Sequence, residues 1–375
     1  MEILDQNEKT WWVDFDLLEN FMIDVFKGVG IPENDAKICA KVLITSDKRG
    51  IDSHGIGRFK PIYIDRIDAG QINPITKIDI IKETETTAVL DGNNGMGQVI
   101  AHKAMEMAIE KAKKYGLGMT DARNSNHYGI AGYYVLMAIE NDMIGITGTN
   151  ARPSIAPTFG IENMLGTNPL TFGIPTNEEF PFVLDCATSV TQRGKIEVYA
   201  RLNKDIPEGW VIGQDGKSRT DSKKILDDLV KGTCALVPLG GIGEETGGYK
   251  GYGYATVVEI LSAALSNGSY LKDLLGFDKD GKRIPYKLGH FFIAINIKNF
   301  IEPKIFKSIA GDICRKLRNS KKMPGAERIY TAGEKEYLAW LYRKDKGALV
   351  DEVLKDHIIE LKKRFKLDKY HFPFE

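Results

Sequence analysis

Asp52-Ser53-His54-Gly55-Ile56-Gly57-Arg58 places an imidazole four residues before a guanidinium, in a chain with six histidines. A guanidinium grips a planar carboxylate through two parallel hydrogen bonds and fixes a bound acid in one orientation. An imidazole titrating near neutral pH passes a proton to or from the neighbouring carbinol oxygen. The pair suits chemistry on a 2-hydroxy or 2-oxo acid, with Arg58 as the clamp and His54 as a candidate acid/base. Pro61 fits a first helical turn, which predicts a helix starting near Gly57 or Arg58, with His54 and Arg58 beside its free N–H groups. A purely structural Ser-His-Gly turn uses the same residues.

A second histidine lies in the polar turn Asn124-Ser125-Asn126-His127-Tyr128-Gly129, where neighbouring side chains can fix its tautomer. Gly92-x-x-Gly95-x-Gly97 follows a strand candidate and precedes a helix, as a phosphate cradle does. Its order is not the GxGxxG fingerprint, and a tight strand-to-helix turn needs the same glycines. The segment from Gly240 to Gly253 is denser in glycine and carries Lys250, a cation suited to a phosphate, but no Ser or Thr follows a Gly-Lys pair as in a P-loop. Leu165-Gly166-Thr167-Asn168-Pro169 and Asp185-Cys186-Ala187-Thr188-Ser189 end or begin strands with small polar residues, as cofactor contacts and ordinary turns both do.

The elements that must position these residues follow from periodicity. Asp14 caps an apolar helix ending near Gly28, and Pro32 opens another ending near Gly50. With the helix after Pro61, the first 70 residues form a helical unit. Strands are expected at 77–81, 87–91, 117–120, 144–149, 170–174 and 182–186, with a buried central strand at 290–297. Helices are expected at 99–114, 131–140, 303–318, 332–345 and 349–365, with an amphipathic one at 252–268; 201–225 reads as loop-rich. Mixed α and β order predicts a layered α/β fold.

Composition bounds the rest. The 375 residues are 43% hydrophobic, enough for a sizeable core and two or more domains. Lys+Arg and Asp+Glu both number 51, so no basic excess exists to hold nucleic acid or an anionic membrane. The acidic start, Met1 to Asp5, has no signal-peptide pattern, and no apolar run is long enough to span a bilayer. Four scattered cysteines predict a reduced, cytoplasmic protein without a metal site.

In one order along the chain stand Ser53-His54-Gly55-x-x-Arg58, Asn126-His127-Tyr128-Gly129-Ile130-Ala131-Gly132, Leu165-Gly166-Thr167-Asn168-Pro169, Asp185-x-Ala187-Thr188-Ser189, Ile206-Pro207-Glu208-Gly209-Trp210, Lys250-Gly251-Tyr252-Gly253 and Pro324-Gly325. As an ordered set they resemble the malate/L-lactate dehydrogenase family that lacks a Rossmann fold, over about residues 14 to 345. The resemblance implies a central mixed-sheet NAD(P)-binding α/β domain, here 79–324, and a helical domain from both chain ends, 1–78 plus 325–375. It also implies a homodimer. Cofactor contacts carried over are Ala151, Asp185, Cys186, Ala187, Lys250 and the Gly325–Arg328 segment, including Gly325 and Arg328; Thr167 and Asn168, at a strand edge, and Gly251 beside Lys250 are expected to join them. Ser53 and Arg58 carry over as substrate contacts. His54 and His127 both match acid/base positions; in the catalytic scheme Asp185 is expected to orient or charge-tune a histidine.

The chain departs from the family pattern in a longer loop before Lys250, and in Ala151-Arg152 where two small hydroxyl residues are usual. Arg152 adds a cation for a second anionic group, which favours malate/oxaloacetate over lactate/pyruvate. The rival readings are reduction of a cyclic 2-imino acid, oxidation of ureidoglycolate or sulfolactate, and a non-catalytic nucleotide-binding protein. The cofactor is NAD or NADP.

Overall fold

The computed structural model describes residues 9–375, so the acidic segment from Met1 to Asp5 lies outside the described residues. The chain opens with strand β1 (Trp11–Val13), then helices α1 (Phe15–Gly28) and α2 (Glu33–Lys48). Asp14 caps α1 as expected, accepting from Leu17 N at 2.9 Å. Next come a short turn α3 (Ile56–Arg58), a π-helical stretch Phe59–Ile64 and α4 (Asp65–Asp68). Pro61 lies within the π-helical stretch, where its missing N–H leaves no i−4 bond to make.

The central part runs β2 (Asp79–Glu83), β3 (Thr87–Asp91), α5 (Gly97–Tyr115), β4 (Leu117–Ser125), α6 (Gly132–Ile139), β5 (Met143–Thr149), β6 (Leu170–Ile174) and β7 (Phe182–Cys186). Then follow α7 (Arg193–Arg201), β8 (Val211–Gly213), α8 (Ser222–Lys231), β9 (Cys234–Leu236), α9 (Gly248–Ala263) and β10 (Leu288–Asn296). The chain ends with α10 (Pro303–Arg318), α11 (Glu334–Arg343), β11 (Ala348–Val350) and α12 (Glu352–Arg364).

Among the described residues, seven strands form one mixed sheet in the order β2-β3-β4-β10-β5-β6-β7. β3 and β4 pair in parallel, joined through α5, while the other neighbours are antiparallel. This is not the parallel doubly wound sheet of a Rossmann domain. β10 is central, as its apolar run predicts, with His290 opposite Ala122 on one side and Thr149 on the other.

Of five hydrophobic clusters among the described residues, the three largest form the main cores. One draws on both chain ends: Leu18, Phe21 and Phe26 of α1, Leu43 of α2, Phe59 and Tyr63, and Ile358 and Leu361 of α12. β1 pairs antiparallel with β11 and ties those ends together. A second lies under the sheet against α5 and α6, with Ile100, Met105, Tyr134 and Phe292. A third joins Ile196, Val211, Ile225, Leu236 and Ala255.

The structure corrects several expected elements. Residues 348–350 are strand rather than the start of a helix, because they find β1 as partner and Asp351 then caps α12 through Leu354 N. β4 runs five residues past 120, and the loop-rich stretch 201–225 contains β8 and the start of α8. α9 starts four residues before 252 and is not amphipathic: Ala255 and Val258 are buried while Tyr254, Val257 and Ile260 are exposed. Among the described residues, no helix is long and apolar enough to cross a membrane.

Candidate active site

The segment carrying His54 and Arg58 is held from both sides. Asp47, buried near the end of α2, accepts from Ile56 N at 3.0 Å and so satisfies the start of α3. A Cβ at Gly55 would lie 1.9 Å from Asp47 Oδ1, so the glycine of Ser-His-Gly is demanded by close approach. Burial, then the charge of Asp52, pushes the Asp47 carboxyl well above the ordinary carboxylate range. Asp52 is gripped from α11 by Arg343, whose two terminal nitrogens donate at 2.5 and 2.7 Å, and Arg343 also donates to Asp47 O at 2.9 Å.

The two histidines face each other. The rings of His54 and His127 are near-parallel at 17° with centroids 5.8 Å apart. Ser53 Oγ is 2.9 Å from His54 Nδ1, and Arg58 Nε donates to Ser53 O at 2.6 Å. His127 Nδ1 lies 2.6 Å from the Tyr63 hydroxyl and accepts from Gly129 N at 3.3 Å. A backbone N–H only donates, so Nδ1 of His127 is the acceptor and the neutral ring carries its hydrogen on Nε2. Tyr63 then donates as well. Ser53 can donate or accept, so His54 is free to hold its hydrogen on Nδ1 and leave a lone pair at Nε2.

Electrostatics keep both rings neutral at pH 7. Burial, then the Arg58 guanidinium, lowers His54 to about 4. Burial, then repulsion from His54 whenever that ring is protonated and from the Arg66 and Arg58 guanidiniums, holds His127 well below the ordinary imidazole range. Behind them, His290 stacks on Tyr128 at 4.6 Å and uses both ring nitrogens, on Thr149 Oγ1 and Ser125 Oγ at 2.7 Å each. Fully engaged and buried, it is a wall of the site rather than a proton carrier.

Arg58, Ser53 and Asp52 line a cleft of about 730 Å³ together with Asp185, Cys186 and Ala187. Ser189, Thr191, Lys195 and Arg201 also line it. The Thr191 hydroxyl is buried with no protein partner. Asp185 touches neither histidine, which corrects the expected histidine-orienting role. Its Oδ2 accepts from Gly132 N at 2.7 Å at the start of α6, and Oδ1 accepts from Thr171 Oγ1 at 3.0 Å. The expectation failed because sequence shows that an acid follows β7 but not which helix end it meets. Burial raises its carboxyl despite these bonds.

The other expected contacts divide. Ala151 N donates to Asn168 Oδ1 at 3.1 Å, and Asn168 Nδ2 donates to Ala255 O and to Glu259 Oε2, at 3.0 and 2.8 Å. The Asn168 side chain is thus engaged within the fold, and Thr167 contributes its carbonyl to Thr188 Oγ1. Lys250 is exposed in the first turn of α9 with its ammonium 5.7 Å from the Tyr249 ring, and does not line this cleft. Gly251 packs on Leu239, whose oxygen would sit 2.2 Å from an added Cβ. Arg328 pairs with Glu334, and Gly325 takes a left-handed φ of 82°. A smaller cavity of about 300 Å³ joins Tyr330 to Asp185 and Arg49. The glycine turn before α5 is a packing device: a Cβ at Gly97 would lie 2.2 Å from Asn126 O and 2.4 Å from His127 O.

Sequence reading missed Tyr63, which bonds His127, and His290, which stacks on the adjoining Tyr128. The signal for Tyr63 was its place on the helical stretch that follows Arg58; nothing in the sequence marks His290 beyond its strand.

The sequence profile of the malate/L-lactate dehydrogenase family matches residues 13–358. The chain belongs to that family. The malate dehydrogenase of Pyrococcus horikoshii is 44% identical over 349 residues, covering 93% of this chain and 94% of the relative. The L-sulfolactate dehydrogenase of Methanocaldococcus jannaschii is 41% identical, covering 92% and 94%. The crystal structure of malate dehydrogenase from Entamoeba histolytica superimposes with a TM-score of 0.92 at 47% identity, covering 96% of this chain and 99% of that one. The protein is therefore a hydroxy acid dehydrogenase with a non-Rossmann mixed sheet.

Proposed function

We propose that this dehydrogenase transfers a hydride between a nicotinamide dinucleotide, NAD or NADP, and C2 of a 2-hydroxy or 2-oxo acid, malate/oxaloacetate ahead of lactate/pyruvate, as a cytoplasmic homodimer. What carries the reading is Arg58, which lines the cleft and has no acidic partner among the described residues, four residues from His54, whose ring stacks on that of His127, with both rings held neutral. Relatives named for malate and sulfolactate support it.

The cleft suits the dinucleotide in the chemistry of its lining. The backbone from Asp185 to Ala187, the partnerless Thr191 hydroxyl, Ser189, and the cations Lys195 and Arg201 would hold its ribose and phosphate groups. When bound, the nicotinamide accepts or supplies the hydride. Arg58 keeps its terminal N–H groups for the substrate C1 carboxylate, since only Nε is used on Ser53 O. His127, with hydrogen on Nε2, donates a hydrogen bond to the C2 oxygen. His54 takes the hydroxyl proton at Nε2 during oxidation and returns it during reduction. Asp185 positions the end of β7 against α6 and takes no proton in this scheme.

The test is oxidation of NADH and NADPH with oxaloacetate and pyruvate by wild type, His54→Ala and His127→Ala. His54→Ala should lower kcat by roughly 100- to 10,000-fold and flatten its pH dependence. His127→Ala should lower kcat while leaving a titration in place. Full activity in both variants would refute the assignment.

A further inference from the structure

We propose that the N-terminus of α7 is an oxyanion subsite that works with Arg58: the free N–H groups of Arg193 and Gly194, backed by the Thr191 hydroxyl, donate to an anion whose other edge Arg58 holds. This rests on the hydroxy acid reading above and adds positioning residues to that site.

α7, nine residues long, begins without a side-chain cap. Its N-cap is Gln192, which makes no capping bond, and its first turn holds no acid. Thr191, a residue type that does cap, stands one position too early. Lys195 N turns back on Gln192 O at 3.0 Å, which leaves the N–H groups of Arg193 and Gly194 without an acceptor among the described residues. Such a helix end carries partial positive charge and attracts anions. A second observation points the same way. Thr191 lines the cleft and is 4% exposed, yet its hydroxyl has no partner. Buried hydroxyls are almost always paired, so a group from outside the chain is the partner this one lacks.

Arg58 closes the site. A Cβ on Gly194 would lie 3.9 Å from Arg58 Nη2, and no other part of the described chain comes within 4 Å of it. On a helix that bond tilts toward the N-terminus, the direction in which the free N–H groups point. Two hydrogen bonds laid end to end span roughly 6 Å, so a carboxylate in this gap reaches both Arg58 and the helix end. The acids of the cleft do not compete for these donors. Asp52 pairs with Arg343 and Glu197 with Arg193, while Asp185 accepts from Gly132 N and Asp351 from Leu354 N. Lys195 and Arg201 line the same cleft from α7 and add positive charge. Two groups of the reaction offer an oxyanion here, the C1 carboxylate of the acid and a phosphate of the dinucleotide. The place of Arg58 beside Gly194 favours the carboxylate, gripped by the guanidinium on one side and by the helix end on the other.

The experiment compares wild type, Gly194→Ala, Thr191→Val and Thr191→Ser by calorimetric titration of oxamate, the amide analogue of pyruvate, and of ADP. Thermal unfolding, and kcat and KM for oxaloacetate and pyruvate, are measured alongside. Gly194 is not left-handed and alanine suits a helix better than glycine, so Gly194→Ala should unfold at or above the wild-type temperature while its methyl takes the place of the anion. Oxamate should then bind about tenfold or more weakly, and KM for both acids should rise by a similar factor with kcat within about threefold. A loss on ADP with oxamate unchanged keeps the oxyanion subsite and gives it to the phosphate. Thr191→Val should weaken the same ligand about threefold or more, and Thr191→Ser should restore it; equal binding by all three residues removes the hydroxyl from the subsite. Unchanged affinity of Gly194→Ala for both ligands overturns the proposal, and so do equal losses on both, which mark a general disturbance of the cleft. Wild-type inactivity on both acids would instead sink the hydroxy acid reading. Inorganic phosphate then reads the subsite: Gly194→Ala should weaken it about tenfold, and equal affinities would refute it.

Discussion

Tyr63 and Gly129 act on one nitrogen of His127, and that decides what the other nitrogen can do. Tyr63→Phe removes the stronger of the two contacts while keeping the ring that packs on Phe26. We expect kcat to fall by about tenfold with little change in folding, because the ring orientation is loosened and the general base is untouched; a loss matching that of His54→Ala in a kinetic assay would count against the division of roles. Arg58→Lys should cut kcat/KM on the order of 100-fold, since one ammonium cannot reproduce a two-pronged grip. Equal activity in that variant removes Arg58 from the substrate. The pH dependence follows from the depressed histidines. Oxidation needs neutral His54, and its folded value is about 4, so kcat/KM for the hydroxy acid should be flat from pH 8 to about pH 6 and fall only as pH approaches 4. A midpoint near 6.5 in the free enzyme would show that the ring is solvated.

The elements act as a clamp on the His54 segment. α2 supplies Asp47, α11 supplies Arg343, and the π-helical stretch turns Tyr63 toward β4 and His127. Gly55→Ala forces a methyl into Asp47 Oδ1, and the resulting shift should destabilise the fold by about 2 kcal/mol and displace His54. Urea unfolding and kcat measured together check this: unchanged values in both would mean that the Asp47 side chain swings away. Arg343→Ala strips Asp52 of a two-bond partner across the two chain ends, and leaves a carboxylate beside the already crowded Asp47. Loss of activity with preserved nucleotide binding is expected, since Arg343 lies behind the acid site and not in the cleft.

At the scale of the whole molecule, His54, His127 and His290 all have folded values below the ordinary 6.5. The unfolded chain binds more protons than the folded one between 6.5 and the folded values, so their contribution is complete above pH 6.5 and is lost as pH falls toward 4 and 3. The raised carboxyls of Asp47, Asp185 and Glu259 act in the opposite sense. The comparison that isolates the histidine effect is His290→Gln, whose stability should fall less steeply from pH 6.5 to 4 than wild type; an identical slope in denaturant titrations would refute it. Exposed Tyr254, Val257 and Ile260 on α9 and Ile305, Ile309 and Ile313 on α10 need cover. The resemblance implies a dimer, and light scattering should then give twice the 41.8 kDa chain.

Local pattern determined much of this protein. Asp14 and Pro32 marked their helices because capping and ring geometry act within a turn, and the run at 290–297 announced a central strand because both its faces are apolar. Ser53, His54 and Arg58 were legible together since four residues of chain keep them close whatever the fold. What the tertiary structure decided are the meetings across long separations: Tyr63 with His127, Arg343 with Asp52, β1 with β11, and Asp185 with α6 instead of a histidine. No periodicity encodes those partners. They follow from which surfaces pack, and so does the neutrality of His54 and His127, which burial imposes.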